Sequence, residues 1–212
     1  CIESDSSVVV PPEIGFDSGV HKIKKDLCMV ISTDPCLGVP SSWFGWLMIH
    51  YAASDVALFG VQPRYCTVNL LGPTGADTRL LLRVIRSACA AAREIGMSIV
   101  AGHTGRYEAL NELVGTCTAY GFGLCSEAKT ARNVRAGDKI LCTKPIGLET
   151  LATFSRTHPS IARRVLGKSR SKNYRGQFRF QSCVKEALDL SHVSGVSALH
   201  DIAEGGLVTA LN

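Results

Sequence analysis

No two of the nine cysteines in this sequence stand at C-x-x-C spacing, which excludes a zinc ribbon or a dithiol redox motif. They lie at positions 1, 28, 36, 66, 89, 117, 125, 142 and 183, mostly inside apolar stretches where cysteine behaves as a small hydrophobe. An odd number so placed argues against a disulfide framework and predicts free thiols in a reducing, cytoplasmic setting. No apolar run approaches the length that spans a bilayer, and no signal-peptide pattern is visible. The G-x-x-x-x-G-K-[ST] loop and the H-E-x-x-H helix are both missing, so a P-loop site and a zinc-protease site are excluded. Gly121-Phe122-Gly123 lacks the third glycine of a dinucleotide fingerprint, since Ser126 takes that place. There is no internal repeat and no low-complexity tract.

What is present is an ordinary globular composition, 46% hydrophobic and 19% charged over 212 residues, enough to bury a core. The net charge is only +5. Basic residues concentrate at Arg156, Arg163, Arg164, Lys168, Arg170, Lys172, Arg175 and Arg179. That run reads as a solvated loop and helix face, so neither nucleic acid nor a membrane is an expected partner. The chain opens on Cys1 and stops inside a helical pattern, so it is expected to be a piece of a longer protein.

Met29–Ser32 reads as a short buried strand ending at Thr33-Asp34-Pro35. Ser41 or Ser42 can cap a helix through Phe44, Met48, Tyr51 and Ala52 to about Leu58. Residues 65–71 form the next strand. Asp77 caps a helix whose stripe is Leu81, Ile85, Ala88, Cys89, Ala92 and Ile95, with Gly96 beyond its end. A strand over 98–101 leads into Gly102-His103-Thr104, and Leu113–Leu124 is a longer strand or hairpin arm. A boundary falls near residues 126–136, dividing the chain into domains 1–126 and 127–212. The second half reads as a strand at 139–143, a helix from Leu148, a basic connection, a helix near 181–191, a strand at 196–199 and a last helix opened by Glu204-Gly205-Gly206. Alternating strands and helices give a mixed α/β (α+β) protein of two domains.

Three aspartates stand in places where a carboxylate has work to do. Asp34 ends a buried strand, Asp17 sits between Gly15 and Gly19, and Asp55 continues the apolar face of its helix. A buried carboxylate is costly unless paired, hydrogen-bonded or bound to metal. Singly, each reads as a local cap. Together they offer hard oxygen ligands to Mg²⁺ and, through it, to the phosphates of a nucleotide. Gly102-His103-Thr104-Gly105 could contact phosphate as a loop, and Gly205-Gly206 could do so at a helix start.

The order of these segments resembles the aminoimidazole ribonucleotide synthetase-like superfamily. Gly15-Phe16-Asp17-Ser18-Gly19-Val20 resembles the family's G-[DE]-D-A-A-V, and Ser32-Thr33-Asp34 its T-T-D. Ser54–Pro63 is similar to N-D-[IL]-A-x-x-G-A-x-P, Ala101–Thr104 to G-G-[DEH]-T, and His200–Leu207 to H-D-x-T-E-G-G-L. The resemblance implies an N-terminal sheet that pairs with its copy in a homodimer, followed by the start of a second α/β domain. It implies ATP and Mg²⁺ as cofactors, with Asp17, Asp34 and Asp55 as metal ligands and Gly102, Thr104, Gly205 and Gly206 on the nucleotide. Asp55 and His103 would be catalytic. The implied chemistry is transfer of the γ-phosphate to a small-molecule or carbamoyl-type oxygen, on a free or protein-borne acceptor, closest to the hydrogenase-maturation group. A thiamine-monophosphate kinase-like enzyme and a non-catalytic nucleotide-binding dimer are the alternatives. Phe16 and His103 depart from the pattern, each standing where many members carry an acid.

Overall fold

The computed structural model describes residues 5–13, 15–203 and 205–211. The chain divides into two compact units, Cys1–Arg135 with Cys183–Asp201, and Ala136–Ser182 with Ile202–Asn212.

The first unit is built on a six-stranded mixed sheet. In chain order its elements are β1 (Val8–Val10), β2 (Gly19–Lys24), β3 (Leu27–Cys36), helix α1 (Ser41–Leu58), β4 (Tyr65–Pro73), α2 (Thr78–Glu94), β5 (Ser98–Tyr107) and β6 (Val114–Leu124). The spatial order is β1-β2-β3-β6-β4-β5. All neighbours are antiparallel except β4 and β5, which run parallel. That parallel pair needs a crossover, and α2 supplies it.

Burial alternates along the strands. Cys28, Val30, Ser32 and Cys36 of β3 are buried, as are Cys66, Val68 and Leu70 of β4 and Cys117 and Ala119 of β6. This face lies under α1, which packs on β3, β6, α2 and the later helix α6 (Val184–Ser191). The apolar side of α1 therefore extends almost all round it. From Trp43 to Leu58 only Tyr51 is not buried, as expected of a helix enclosed by other elements. Its first turn is capped by no side chain, Pro40 occupying the position expected of Ser41 or Ser42.

The α1–α2 contact is close because residue 45 is glycine. A Cβ at Gly45 would overlap the carbonyl oxygen of Val84 and crowd Ala88 N and Ser87 Cβ, each at 2.8 Å. This contact fixes the buried stripe of α2 as Leu81, Val84, Ala88, Ala91 and Ala92. The expected stripe is thus rotated, and Cys89 is exposed. Asp77 caps α2 as expected, its carboxylate accepting from Arg79 N at 2.9 Å.

Two cysteines overturn the expectation of free thiols throughout. Cys28 and Cys125 form a disulfide with Cα atoms 5.3 Å apart. Pairing of Leu27 with Leu124 places them side by side, a register that cysteine spacing alone does not contain. Cys36, Cys66, Cys89, Cys117, Cys142 and Cys183 are free thiols.

The second unit is helical among its described residues: α3 (Leu148–Thr157), α4 (Pro159–Leu166) and α5 (Lys168–Gly176), followed later by a short α7 (Gly206–Ala210). Pro159 opens α4 at its first turn, where a missing N–H costs nothing. α6 (Val184–Ser191) returns to the first unit and packs on α1. The strands expected at 139–143 and 196–199 are not formed. Ile140 and Leu141 are highly exposed, and a strand needs a partner to satisfy its backbone. The mixed α/β class itself stands.

Candidate functional site

Asp34 lies within β3, in register with Cys117 of β6, on the face beneath α1. Asp55 is on the last turns of α1 and only 9% exposed. Ser32, two residues before Asp34 on the same face, donates its hydroxyl to Asp55 Oδ2 at 2.7 Å. Burial pushes the Asp55 carboxyl up to about 10, helped by the charge of Asp34, a hydrogen bond with Asp34 and the charge of Asp17, against the Ser32 hydrogen bond. Asp34 and Asp55 thus form a hydrogen-bonded acid pair, and Asp17 acts on it through its charge. In the absence of a cation Asp55 is a neutral acid at pH 7, sharing its proton with Asp34.

Asp17 sits in the bend before β2. Its Oδ2 is 3.1 Å from His200 Nδ1, and the same nitrogen is 3.4 Å from Asp201 Oδ1. Hydrogen bonds to Asp17 and then Asp201 hold the imidazole up to about 10, so His200 is a cation at neutral pH. Asp17, His200 and Asp201 offer ligand atoms within 4.8 Å of one another. Beside them the Ser18 hydroxyl is buried without a hydrogen-bond partner. Next to Asp55, Ser54 accepts from the Cys183 N–H at 3.0 Å, tying the approach to α6 to the acidic end of α1.

The donor set fits Mg²⁺: hard carboxylate oxygens, crowded enough that one must stay protonated until a cation replaces the proton. Ser32, His200 and Asp201 join this cluster; the sequence reading put His200 and Asp201 in the segment leading to Gly205-Gly206 and gave neither them nor Ser32 a place beside the aspartates. Ser32 was visible as the i−2 neighbour of Asp34 on one strand face. The contact of His200 with Asp17 joins opposite ends of the chain.

The remaining predicted residues fall elsewhere. Gly102, His103 and Thr104 are not in a loop but inside β5. A Cβ at Gly102 would come within 2.7 Å of Val68 O, so the glycine serves the close approach of β5 to β4. His103 is in register with exposed Asn69, and Gly102 with buried Val68. Strand alternation thus puts His103 on the face opposite the aspartates, where its Nε2 is 2.8 Å from the Tyr107 hydroxyl. Thr104 shares the aspartate face but pairs with Leu70 on β4. Two strands, β6 and β4, separate β5 from Asp34, roughly 14 Å at the usual spacing. Gly205 and Gly206 have positive φ, 81° and 68°, and open α7 in the second unit; Glu204 lies outside the described residues.

The family described as AIR synthase related protein, N-terminal domain, matches residues 15–123. The chain is 28% identical over 207 residues to a carbamoyl dehydratase HypE of Cupriavidus necator, covering 93% of this chain and 56% of that protein. It is 31% identical over 156 residues to a selenide, water dikinase of Citrifermentans bemidjiense, covering 70% and 43%. Among solved structures, hydrogenase maturation protein HypE in complex with ATP superposes with a TM-score of 0.56 at 30% identity, covering 70% of this chain and 46% of that one. The chain spans about half the length of these curated relatives.

Proposed function

The chain belongs to the AIR synthase related family through that family's N-terminal domain, and on this premise we propose that it is the nucleotide-binding part of a Mg²⁺-dependent, ATP-using enzyme. The observation that carries the reading is the buried Asp34–Asp55 pair, with Asp55 held neutral by burial and by the acids Asp34 and Asp17. Bound Mg²⁺ would supply charge neutralisation and in-line orientation of the phosphates. Asp17, Asp34 and Asp55 would hold the ion, Asp55 giving up its proton as it does so. His200 would then exchange its hold on Asp17 for Asp201 alone. The reaction proposed is γ-phosphate transfer to a carbamoyl-type or small-molecule oxygen, with ATP bound in the HypE relative and the 93% coverage by the carbamoyl dehydratase as support.

A homodimer completes the proposal, with 1–126 as the nucleotide-binding and dimer-forming domain and 127–212 as the start of the second. The sheet face away from α1 carries Tyr65, 40% exposed, and Phe122, 45% exposed. With Tyr120 they form a ring cluster with centroids 5.6–6.4 Å apart. An apolar sheet face beside a ten-residue edge strand, β5, with one open side is a surface that proteins cover. Light scattering at micromolar concentration is expected to give the mass of two chains, and Tyr65→Glu with Phe122→Glu the mass of one.

The site is tested by calorimetric titration of ATP with and without Mg²⁺. Binding only with Mg²⁺, and its loss in Asp55→Asn, is the expected result; equal affinity in the variant removes Asp55 from the site. His103, away from the acids, favours one other reading, a dimer that binds nucleotide without turnover. Persistent ATP binding with no ADP release from the full-length protein would decide for it.

A further inference from the structure

The second unit holds a charge anomaly that the nucleotide site does not use. Ala136–Ser182 contains ten lysines and arginines against two acids, Asp138 and Glu149, so the whole positive excess of the chain comes from this stretch. From Arg156 to Arg179 there are eight cations and no acid at all. The structure makes most of this run ordered helix instead of a loop: α4 and α5 both pack on α3. Arg156, Arg163, Arg164, Lys168, Arg170, Lys172 and Arg179 are exposed. Lys168, Lys172 and Arg175 fall at i, i+4 and i+7 on α5, one side of the helix, and extend about 10 Å along it. Arg175 is half-buried, and its Nε is buried with no hydrogen-bond acceptor. Beyond α5 the Phe180 ring is 57% exposed, and Arg179 lies over Phe178 at 5.8 Å.

A row of cations without intervening acids repels itself and is stabilised by a polyanion. Two polyanions are common, an acidic polypeptide and a nucleic acid. The mixture here favours the second: guanidinium forks match phosphate oxygens, and an exposed aromatic ring next to arginine is a stacking surface for a base. An acidic polypeptide would leave the Phe180 ring without an apolar partner.

We propose that α4, α5 and the following Phe178–Gln181 turn form a binding surface for a single-stranded nucleic acid, with phosphates on Lys168, Lys172 and the α4 arginines and a base on Phe180. Binding would be sequence-tolerant, since nothing in the surface reads base edges. The chemistry is independent of the nucleotide site, so failure of either reading leaves the other standing.

The test is fluorescence anisotropy of a labelled twelve-nucleotide oligouridylate with the whole chain, between 50 and 200 mM KCl. Binding is expected, weakening with salt by a log–log slope of about 0.7 for each phosphate neutralised. Lys168→Glu with Lys172→Glu should lower both affinity and slope; both side chains are exposed, and glutamate at residue 168, in the first turn of α5, suits the helix dipole, so folding is kept. Phe180→Ala should cost about tenfold in affinity, in line with about 1–3 kcal/mol for one stacked base, and leave the slope unchanged. Arg163→Gln with Arg164→Gln, both at exposed positions, provides a second charge variant. No binding at 50 mM KCl overturns the proposal, as does salt-independent binding. Equal displacement by poly-glutamate at matched charge would identify an acidic polypeptide surface and overturn it too, and tighter binding of a duplex would remove the stacking role.

Discussion

Asp55 and His200 tie the stability of the free protein to pH, and in the same direction. Asp55 has its folded-state value raised to about 10 from 3.8, so the folded state keeps a proton that the unfolded state has released. Stability from this group falls as pH rises across that window. His200, raised to about 10 from 6.5, contributes stability that is complete below 6.5 and is lost as pH climbs through 10. The melting temperature of the ligand-free protein is therefore expected to decline from pH 6 to 10. Asp55→Asn should be more stable than the wild type at pH 8 and show a shallower decline; an unchanged slope would show that Asp55 ionises freely. Occupation by Mg·ATP should release about one proton, read from calorimetric heats in buffers of different ionisation enthalpy. Asp55 was legible because helical spacing put a carboxylate on an apolar face, and Asp34 because it follows an apolar run that reads as a strand, although β3 continues past it to Cys36. Their proton sharing was not, since it depends on how α1 crosses β3. Thiol reactivity separates along the same lines: alkylation mapped by mass should label exposed Cys89 and Cys142 and spare buried Cys36, Cys66 and Cys117.

Among the elements, α1 and α2 approach as closely as they do because residue 45 carries no side chain. Gly45→Ala is expected to cost about 1–3 kcal/mol by forcing the helices to separate, measured by urea unfolding. Gly75→Ala, where a Cβ meets nothing within 4 Å, is the control and should be near neutral. The boundaries of α1, β4, α2 and α6 followed closely from periodicity and caps. The stripe of α2 was misplaced by one residue step because two apolar faces, Val84/Ala91 and Ile85/Cys89, fit its sequence equally well. Only contact with Gly45 chooses between them. The Gly102–Gly105 segment looked like a phosphate loop because glycines signal turns, whereas here glycine permits a close strand pair.

For the whole molecule, the Cys28–Cys125 bridge joins residues 97 apart in sequence. Closing so long a loop restricts the unfolded chain and should contribute about 4.7 kcal/mol. Cys125→Ser is expected to lower the denaturant midpoint to that of the reduced wild type and to be insensitive to reductant. A wild type whose midpoint ignores reductant would show the bond to be absent. The class of the fold could be read from alternating elements, but strand order could not, because pairing is set by contacts distant in the chain. That order also governs how the protein can be made. β6 is the last of the six strands to leave the ribosome, yet it lies between β3 and β4. Until it emerges, β1–β3 and β4–β5 are two half-sheets with open inner edges, and neither can recruit the other. The nascent chain must therefore wait for residue 124 before the sheet closes, exposing two unpaired edges at translation rates of about 5–20 residues per second.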